Sequence, residues 1–451
     1  MNIIVVGTGY VGLVSGVCLA AVGHNITCVD VREEVVDNLN NRIPHIYENG
    51  LAELLDEVIE YDNFRATTDL YKALDNSNVV IVAVGTPSEN GKIDLSQIKT
   101  VCTQIGEYIK TTEKFISVII KSTVIPTTTD TFVKNIIEKT SGKKLGQFGL
   151  GMNPEFLKEG DAINDFMKPD RVVIGFEDEI TKQILEEIYS PWGCFKMCVN
   201  TRTAEMIKYT NNTLLACIIS MNNELANVAM EIGDIDYNNV INGVISDKRW
   251  SPTMNGKIIT PTIASYFTPG AGFGGSCFPK DVQAIRTQGE KLGLQMSLTN
   301  AVLKINDKQP RQVINALVRK FDTLNDKKVL LLGLSFKPET DDIRESSALK
   351  ILDLLLQEEV KVIAHDPLAI EHTKKLFKDS NLSFTQTWIS EISNVDLIII
   401  GTNWPEYKEL KNHLSTIKEQ NIVLFDTKRL FELDEVNDIE YLTFGYFKNN
   451  G

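Results

Sequence analysis

No run in this 451-residue chain approaches the roughly 18 consecutive apolar residues that a membrane helix needs. The start, Met1-Asn-Ile-Ile-Val-Val-Gly7, has neither a basic stretch nor a long apolar core, so no secretory signal is expected. Basic charge is also short. Lys and Arg number 46 against 60 Asp and Glu, and the formal net charge of −14 argues against a general nucleic-acid or anionic-membrane binder. A local basic pocket for an anionic small molecule stays compatible with that balance. Histidine is scarce: five residues, dispersed at positions 24, 45, 365, 372 and 413. The seven cysteines (18, 28, 102, 194, 198, 217 and 277) are odd in number and scattered, several inside apolar runs such as Val17-Cys-Leu-Ala20. That pattern suits reduced thiols and a cytoplasmic location better than a disulfide framework. Cys194 and Cys198 are spaced C-x3-C, but no second pair or nearby histidine completes a zinc site, so no metal is expected.

What is present points to an α/β chain of two or three domains, since one hydrophobic core rarely serves this length. A hydrophobic share of 43% with 24% charged residues is ordinary for a globular protein. Residues 2–7, Asn-Ile-Ile-Val-Val-Gly, read as a short buried strand. Gly7-Thr-Gly9-Tyr-Val-Gly12 follows, then an apolar helix to about Val22, then a strand Asn25-Ile-Thr-Cys-Val-Asp30 ending on an acid. This strand, G-x-G-x-x-G, helix, strand, Asp order makes the glycine motif informative. The first glycine permits the tight turn, the second lets backbone reach a pyrophosphate, and the third lets helix and strand pack closely. The helix N-terminus adds partial positive charge. Asp30, 18 residues past Gly12, can accept hydrogen bonds from a ribose diol and would repel a 2′-phosphate, which favours NAD over NADP. Further strands are expected at Asn78–Gly85 and Phe115–Lys121, ahead of the hydroxyls Thr86 and Thr123. Ligands lie beyond the carboxyl ends of strands in such sheets, although each threonine could equally be a helix cap. Gly149–Gly160 closes another strand with two carboxylates, Glu155 and Glu159, four apart, and Arg171–Gly175 is one more.

From about Thr201 to Ile232 the period changes. Met206, Leu214, Cys217, Ile218, Met221, Leu225, Val228 and Ala229 recur at helical spacing, as in a long connecting helix and a dimer face. Lys208 and Asn212 are four apart and share one side of it. A second α/β unit starts near Lys327. Lys328–Gly333 echoes residues 2–7, Val360–Asp366 echoes the strand ending at Asp30, and Asn394–Thr402 echoes Asn78–Thr86. Its first turn, Gly333-Leu-Ser-Phe336-Lys337-Pro338, lacks the glycine fingerprint and should take a different ligand. Two nucleotide-type units flanking a helix imply two ligands meeting at a cleft. Between them lies Pro269-Gly-Ala-Gly-Phe-Gly-Gly-Ser-Cys277-Phe-Pro-Lys280-Asp281, one thiol after four glycines in six residues (270, 272, 274 and 275). Such a loop can present Cys277 to a ligand; a lone cysteine is otherwise most often a small buried hydrophobe.

In these motifs the chain resembles the UDP-glucose 6-dehydrogenase family, within the wider UDP-glucose/GDP-mannose dehydrogenase superfamily. The resemblance runs through Gly7–Gly12 with Asp30, Tyr47-Glu-Asn-Gly-Leu51, Gly85-Thr-Pro87, Lys121-Ser-Thr123, Asn153-Pro-Glu-Phe-Leu157 and Glu159-Gly160. It continues with Lys208 and Asn212, Gly272–Asp281, Phe336-Lys337 and Asp342-Ile-Arg-Glu-Ser-Ser347. It implies two Rossmann-like doubly wound domains joined by a long central helix. The expected divisions are an NAD-binding domain at 1–199, a helical dimerisation domain carrying the cysteine loop at 200–318, and a UDP-sugar domain at 319–451. It also implies a homodimer or higher homo-oligomer.

The implied reaction oxidises a nucleotide-sugar primary alcohol to a carboxylate with two NAD. A water held by Lys208 and Asp281 takes the alcohol proton, and the Cys277 thiolate captures the aldehyde. The thiohemiacetal becomes a thioester, which water hydrolyses. A soft, ionisable nucleophile that is also a good leaving group suits that position better than serine. By the same resemblance Lys208 stabilises developing negative charge, Glu155 assists hydrolysis, Asn212 positions sugar and oxyanion, and Thr123 orders water. The resemblance places Gly7, Gly9, Tyr10, Val11, Gly12, Asp30, Arg32, Thr86, Thr123, Glu159, Lys280 and Arg344 on NAD. It places Glu155, Phe156, Leu157, Lys158, Lys208, Asn212, Arg249, Tyr266, Gly274, Phe336 and Lys337 on the UDP-sugar. Two departures stand out. Trp250–Pro261 reads as a twelve-residue insertion after the arginine match Arg249, and the family's Asp-x-Arg is here Asp426-Thr-Lys428-Arg429. Lysine lacks the bidentate fork of arginine. The alternatives are the same chemistry on a UDP-N-acetylhexosamine or GDP-mannose, a two-electron hydroxyacid dehydrogenase, and an NAD-binding regulatory module.

Overall fold

The computed structural model describes residues 1–89 and 91–448. The chain divides into two compact units, the first ending at Asn211 and the second running from Asn212. In the first unit, β1 (Asn2–Val6) sends Ile3 and Val5 into one hydrophobic cluster and Ile4 and Val6 into another. A strand apolar on both faces needs cover on both, which is the doubly wound solution. β2 (Asn25–Val29), β3 (Phe64–Thr67), β4 (Val79–Val82), β5 (Ser117–Ile120), β6 (Gly149–Met152), β7 (Arg171–Phe176) and β8 (Phe195–Val199) complete the sheet. Its order is β8-β7-β6-β5-β4-β1-β2-β3. Neighbours run parallel except β6 with β7. The six strands from β3 to β6 therefore follow the 3-2-1-4-5-6 order of a dinucleotide-binding fold, with the direction of progression reversing between β1 and β4.

The second unit repeats this plan. β9 (Lys328–Leu332), β10 (Lys361–His365), β11 (Leu382–Phe384), β12 (Leu397–Ile400), β13 (Val423–Asp426) and β14 (Glu440–Thr443) are ordered β11-β10-β9-β12-β13-β14, parallel throughout. Val329 and Leu331 enter one core cluster, Leu330 and Leu332 another.

The helix Thr201–Ile232 begins in the first unit and ends in the second. Its 32 residues contain no Gly or Pro, and Gly233 ends it with a φ of 79°. Its buried side is mixed: Glu205, Lys208, Asn212, Ser220 and Asn223 are buried along with Tyr209, Ala216, Ala226 and Met230, while Leu214, Met221, Leu225, Val228 and Ile232 stay exposed. The segment read as an insertion forms a hairpin of Thr253–Met254 with Lys257–Ile258, turned by Asn255 and Gly256, both at positive φ. Trp250 meets Phe267 edge-on at 5.2 Å, tying the hairpin base to the short helix Thr262–Phe267 that carries Tyr266. No helix among the described residues is long and apolar enough to cross a membrane.

Candidate active site

In the first unit the chain leaves β1 through Gly7, at φ 94°, and starts the helix Tyr10–Ala21 three residues later. A Cβ on Gly12 would run into the Gly7 carbonyl, whereas one on Gly9 would meet nothing within 4 Å. So the third glycine serves helix–turn packing, and the second faces open space suited to a diphosphate. A cavity of about 930 Å³ opens here, lined by Gly7, Thr8, Gly9, Asp30, Arg32 and Gly85 among others. Asp30, at the tip of β2, accepts hydrogen bonds from the Thr8 amide (3.1 Å) and hydroxyl, and from the Arg32 amide and Nε (both 3.1 Å). Burial pushes its carboxyl up, but the bonds from Arg32 and Thr8 prevail and hold it well below the usual carboxylate range. Asp30 is thus an ionised acceptor, and Arg32 is folded back onto it. The Thr86 hydroxyl donates to the Thr123 carbonyl at 3.0 Å, joining the exits of β4 and β5. Tyr10 donates to Glu48. The Glu48 carboxylate also takes the Gly160 amide (2.7 Å) and the Ala162 amide (2.9 Å), which anchors the turn carrying Glu159. Val11 lies beside Tyr10 in the first helical turn. An anionic ribose acceptor, a glycine turn with open space and a helix N-terminus together fit NAD.

Beyond β6, Glu155 is 7% exposed and accepts the Lys208 ammonium at 2.8 Å and the Leu157 amide at 2.6 Å. Lys121 is buried nearby and donates to Asn153 Oδ1 at 2.8 Å. Burial pushes Glu155 up, yet Lys208 foremost, then the Leu157 amide and Lys121, bring it below its ordinary value. Burial drops Lys121 to about 8. Two cations lie over the Phe156 ring, Arg171 at 4.1 Å and Lys208 at 5.5 Å from its centre. Lys158 is exposed and pairs with Asp165 at 3.5 Å.

In the second unit Cys277 caps the N-terminal end of the helix Phe278–Lys291, with Ser276 Oγ at 3.6 Å from its sulfur. Asp281, one turn on, is 1% exposed. It accepts Asn212 Nδ2 and the Lys280 ammonium, each at 2.7 Å. The preceding loop is clamped by Asn306, which accepts from the Phe273 amide (2.7 Å) and donates to its carbonyl (3.0 Å). Its glycines answer to close packing. A Cβ on Gly274 would collide with the Glu345 carbonyl, and one on Gly275 would come within 2.7 Å of the Phe336 ring. The Gly275 amide donates to the Arg344 carbonyl at 2.9 Å. The turn after β9 therefore holds the cysteine loop through Phe336, Arg344 and Glu345. The Arg344 side chain forms an ion pair with Asp342 (2.7 Å), and Lys337 lies 5.4 Å from the Phe336 ring centre. Tyr266 is half-buried. Arg249 is 85% exposed and paired with Asp247 at 2.8 Å, and Arg429 is paired with Asp236 at 3.0 Å. Among the described residues no group of three or more His, Cys, Asp or Glu is placed to hold a metal.

Three domain models of one family match in order: the NAD binding domain over residues 1–193, the central domain over 202–308 and the UDP binding domain over 330–433 of the UDP-glucose/GDP-mannose dehydrogenase family. The chain belongs to the UDP-glucose/GDP-mannose dehydrogenase family. Among this family's members, the UDP-glucose 6-dehydrogenase AglM of Haloferax volcanii is 36% identical over 449 residues, covering 98% of this chain and 100% of that protein. A UDP-glucose dehydrogenase structure from Pyrobaculum islandicum superposes with a TM-score of 0.88 at 33% identity, covering 99% of this chain and 98% of that one. A UDP-D-ManNAc dehydrogenase of Pyrococcus horikoshii superposes with a TM-score of 0.81 at 25% identity, covering 99% of both. As in the family, the cofactor of this dehydrogenase chain is NAD.

Several residues around the family's motifs escaped the sequence reading. Glu48 sits in Tyr47-Glu-Asn-Gly-Leu51 and Lys121 in Lys121-Ser-Thr123, so motif membership was a signal that neither composition nor periodicity could turn into a role. Thr8, between two glycines, gave none. Glu205 gave none either: a carboxylate four residues into a helix reads as surface.

Proposed function

We propose that the chain is an NAD-dependent UDP-glucose 6-dehydrogenase that converts UDP-glucose to UDP-glucuronate by two successive oxidations at one carbon. The observation that carries this reading is Cys277 at the head of a helix whose next turn bears the buried, Asn212-anchored Asp281. NAD, when bound, supplies the hydride acceptor for each oxidation. Asp281, fixed by Asn212 and Lys280, receives the alcohol proton through a water. Lys208 offers its ammonium to the developing alkoxide, an effect of a few kcal/mol in a dry site. The Cys277 sulfur attacks the aldehyde carbon to form a thiohemiacetal. A thiolate there gains from the partial positive charge of the helix N-terminus. After the second hydride leaves, a thioester remains, and Glu155, kept ionised beside Lys208, accepts the proton of the hydrolytic water. Thr123 orders that water, and Asn212 steadies the oxyanion.

Gly7, Gly9, Tyr10, Val11, Gly12, Asp30, Arg32, Thr86, Glu159, Lys280 and Arg344 serve the cofactor in this reading. Phe156, Leu157, Lys158, Arg249, Tyr266, Gly274, Phe336 and Lys337 serve the UDP-sugar. Residues 1–199, 200–318 and 319–451 then act as cofactor, central and nucleotide-sugar domains. The higher identity to named UDP-glucose enzymes than to the UDP-D-ManNAc enzyme supports glucose as the sugar. Supplying NAD with UDP-glucose, UDP-N-acetylhexosamines and GDP-mannose in parallel tests this. Fastest NADH formation with UDP-glucose is expected, and preference for an acetylated sugar would reassign the substrate.

The stripe of exposed Leu214, Met221, Leu225, Val228 and Ile232, with the half-buried Ile218, alternates spacings of four and three, the pattern of a helix seam. A second copy of the chain is the occupant this reading assigns to it, giving a homodimer or a larger homo-oligomer. Light scattering should show at least a dimer for the native chain and a smaller species for Leu225→Glu; a native monomer would refute the assignment. None of the seven cysteines forms a disulfide, which supports a cytoplasmic location.

A further inference from the structure

Glu205 is a carboxylate with 0% exposure that the reaction outlined above does not use. It accepts the backbone amides of Thr127 and Thr129, each at 2.8 Å. Thr127 is a β-branched residue in the left-handed region, φ 86° and ψ 0°, a conformation that persists only where its surroundings enforce it. It opens a single wide turn, Thr128–Val133, with i→i+5 hydrogen bonding, a rare form that is frequent at functional sites. The segment between Thr123 and Thr129 is thus pinned at both ends. Thr86 holds the Thr123 carbonyl, and Glu205 holds the amides of Thr127 and Thr129. Glu205 also shares a helix stripe with Lys208, three residues on.

We infer that Glu205 is a positioning residue whose ionised carboxylate sets the Thr123–Thr129 turn, and that its protonation loosens this turn and weakens NAD binding. The inference rests on the assignment of Thr123 to the cofactor site. An ionised carboxylate has lone pairs for two N–H donors. Once protonated, one oxygen becomes a hydroxyl facing an amide hydrogen, and one of the two bonds is lost. Burial pushes the Glu205 carboxyl up to about 7, the Thr129 and Thr127 bonds opposing and Asp130 adding to the rise. The charged group acting on it is Asp130, on the wide turn and itself paired with Arg202; Lys208, on the helix of Glu205, is engaged by Glu155. The carboxylate therefore gains its proton as pH falls from about 8 to about 6, and the turn relaxes in that direction.

Calorimetric NAD titration without sugar, at intervals from pH 6 to 9, tests this apart from Cys277 and from turnover. The native chain should bind NAD roughly tenfold more tightly at pH 8 than at pH 6, with a midpoint near 7. Glu205→Gln should bind at the weak level throughout, with no change across that range. A Gln variant that keeps the native affinity and the native pH dependence overturns the inference. Should the variant not fold, amide exchange of segment 123–133 in the native chain decides. After correction for intrinsic rates, protection should fall as pH drops from 8 to 6, and constant protection would overturn the inference. If the native chain binds no NAD at any pH, the cofactor reading fails instead, and the exchange result still settles whether Glu205 governs the turn.

Discussion

Gly7 and Gly333 occupy the same point in two sheets that share the 3-2-1-4-5-6 order over six strands, and both take a φ of 94°, yet the chain leaves them differently. After Gly7 the helix starts at Tyr10, and the space beside Gly9 stays open. After Gly333 the helix waits until Ser347, and residues 334–346 form a loop that packs on the cysteine loop through Phe336, Arg344 and Glu345. The acids at the tips of the second strands diverge in step. Asp30 is answered by Thr8 and by the half-exposed Arg32 side chain, partners that a ribose could join or displace. Asp366 is 1% exposed. It accepts the amides of Leu334, Ser335, Leu368 and Ala369, the Ser335 hydroxyl and the Trp404 indole N–H. One fold thus serves two ends. In the first unit the turn is kept vacant for a dinucleotide, and in the second the chain fills it and spends the loop on holding Cys277.

Cys277→Ala should separate the two roles most sharply. Acid formation should fall by about 10⁴-fold or more, while NAD binding, a property of the first unit, is unchanged in calorimetry. A variant that still made UDP-glucuronate would remove the covalent step from the account. The paired substitutions Asp30→Ala and Asp366→Ala come next. Asp30→Ala should raise the KM for NAD by roughly 10–100-fold, the value of charged hydrogen bonds, with a smaller loss of stability than Asp366→Ala. Asp366→Ala should leave that KM in place and cost roughly 3 kcal/mol in denaturant unfolding, because six donors lose their acceptor. Equal effects of the two on NAD would erase the distinction between the halves.

Much of this was legible in the sequence because it is written in local pattern. The apolar runs of β1 and β9, the glycine spacing and the acid at Asp30 each follow from short-range chemistry. The edge strands β3, β8 and β11 left little trace. Phe195, Met197 and Cys198 of β8 are exposed, so its apolar residues do not mark a buried face. The long helix was legible in period, but not in which face is buried. A stripe of large apolar residues is exposed, and polar residues are buried among alanines and Tyr209, because Glu205, Lys208 and Asn212 find partners far away in the chain. The loop glycines were read as letting the loop present Cys277 to a ligand. Their packing was not legible: Gly274 and Gly275 lie against the Glu345 carbonyl and the Phe336 ring, contacts about 60–70 residues distant in sequence that no window along the chain could contain.

In the proposed reaction one carbon is oxidised twice on one chain, with Cys277 holding the intermediate. Counting NADH released per UDP-glucose consumed, with sugar limiting and NAD in excess, tests it most directly. Two NADH per sugar, with UDP-glucuronate as the product, is the predicted result; one NADH per sugar with an aldehyde or ketone product would contradict it.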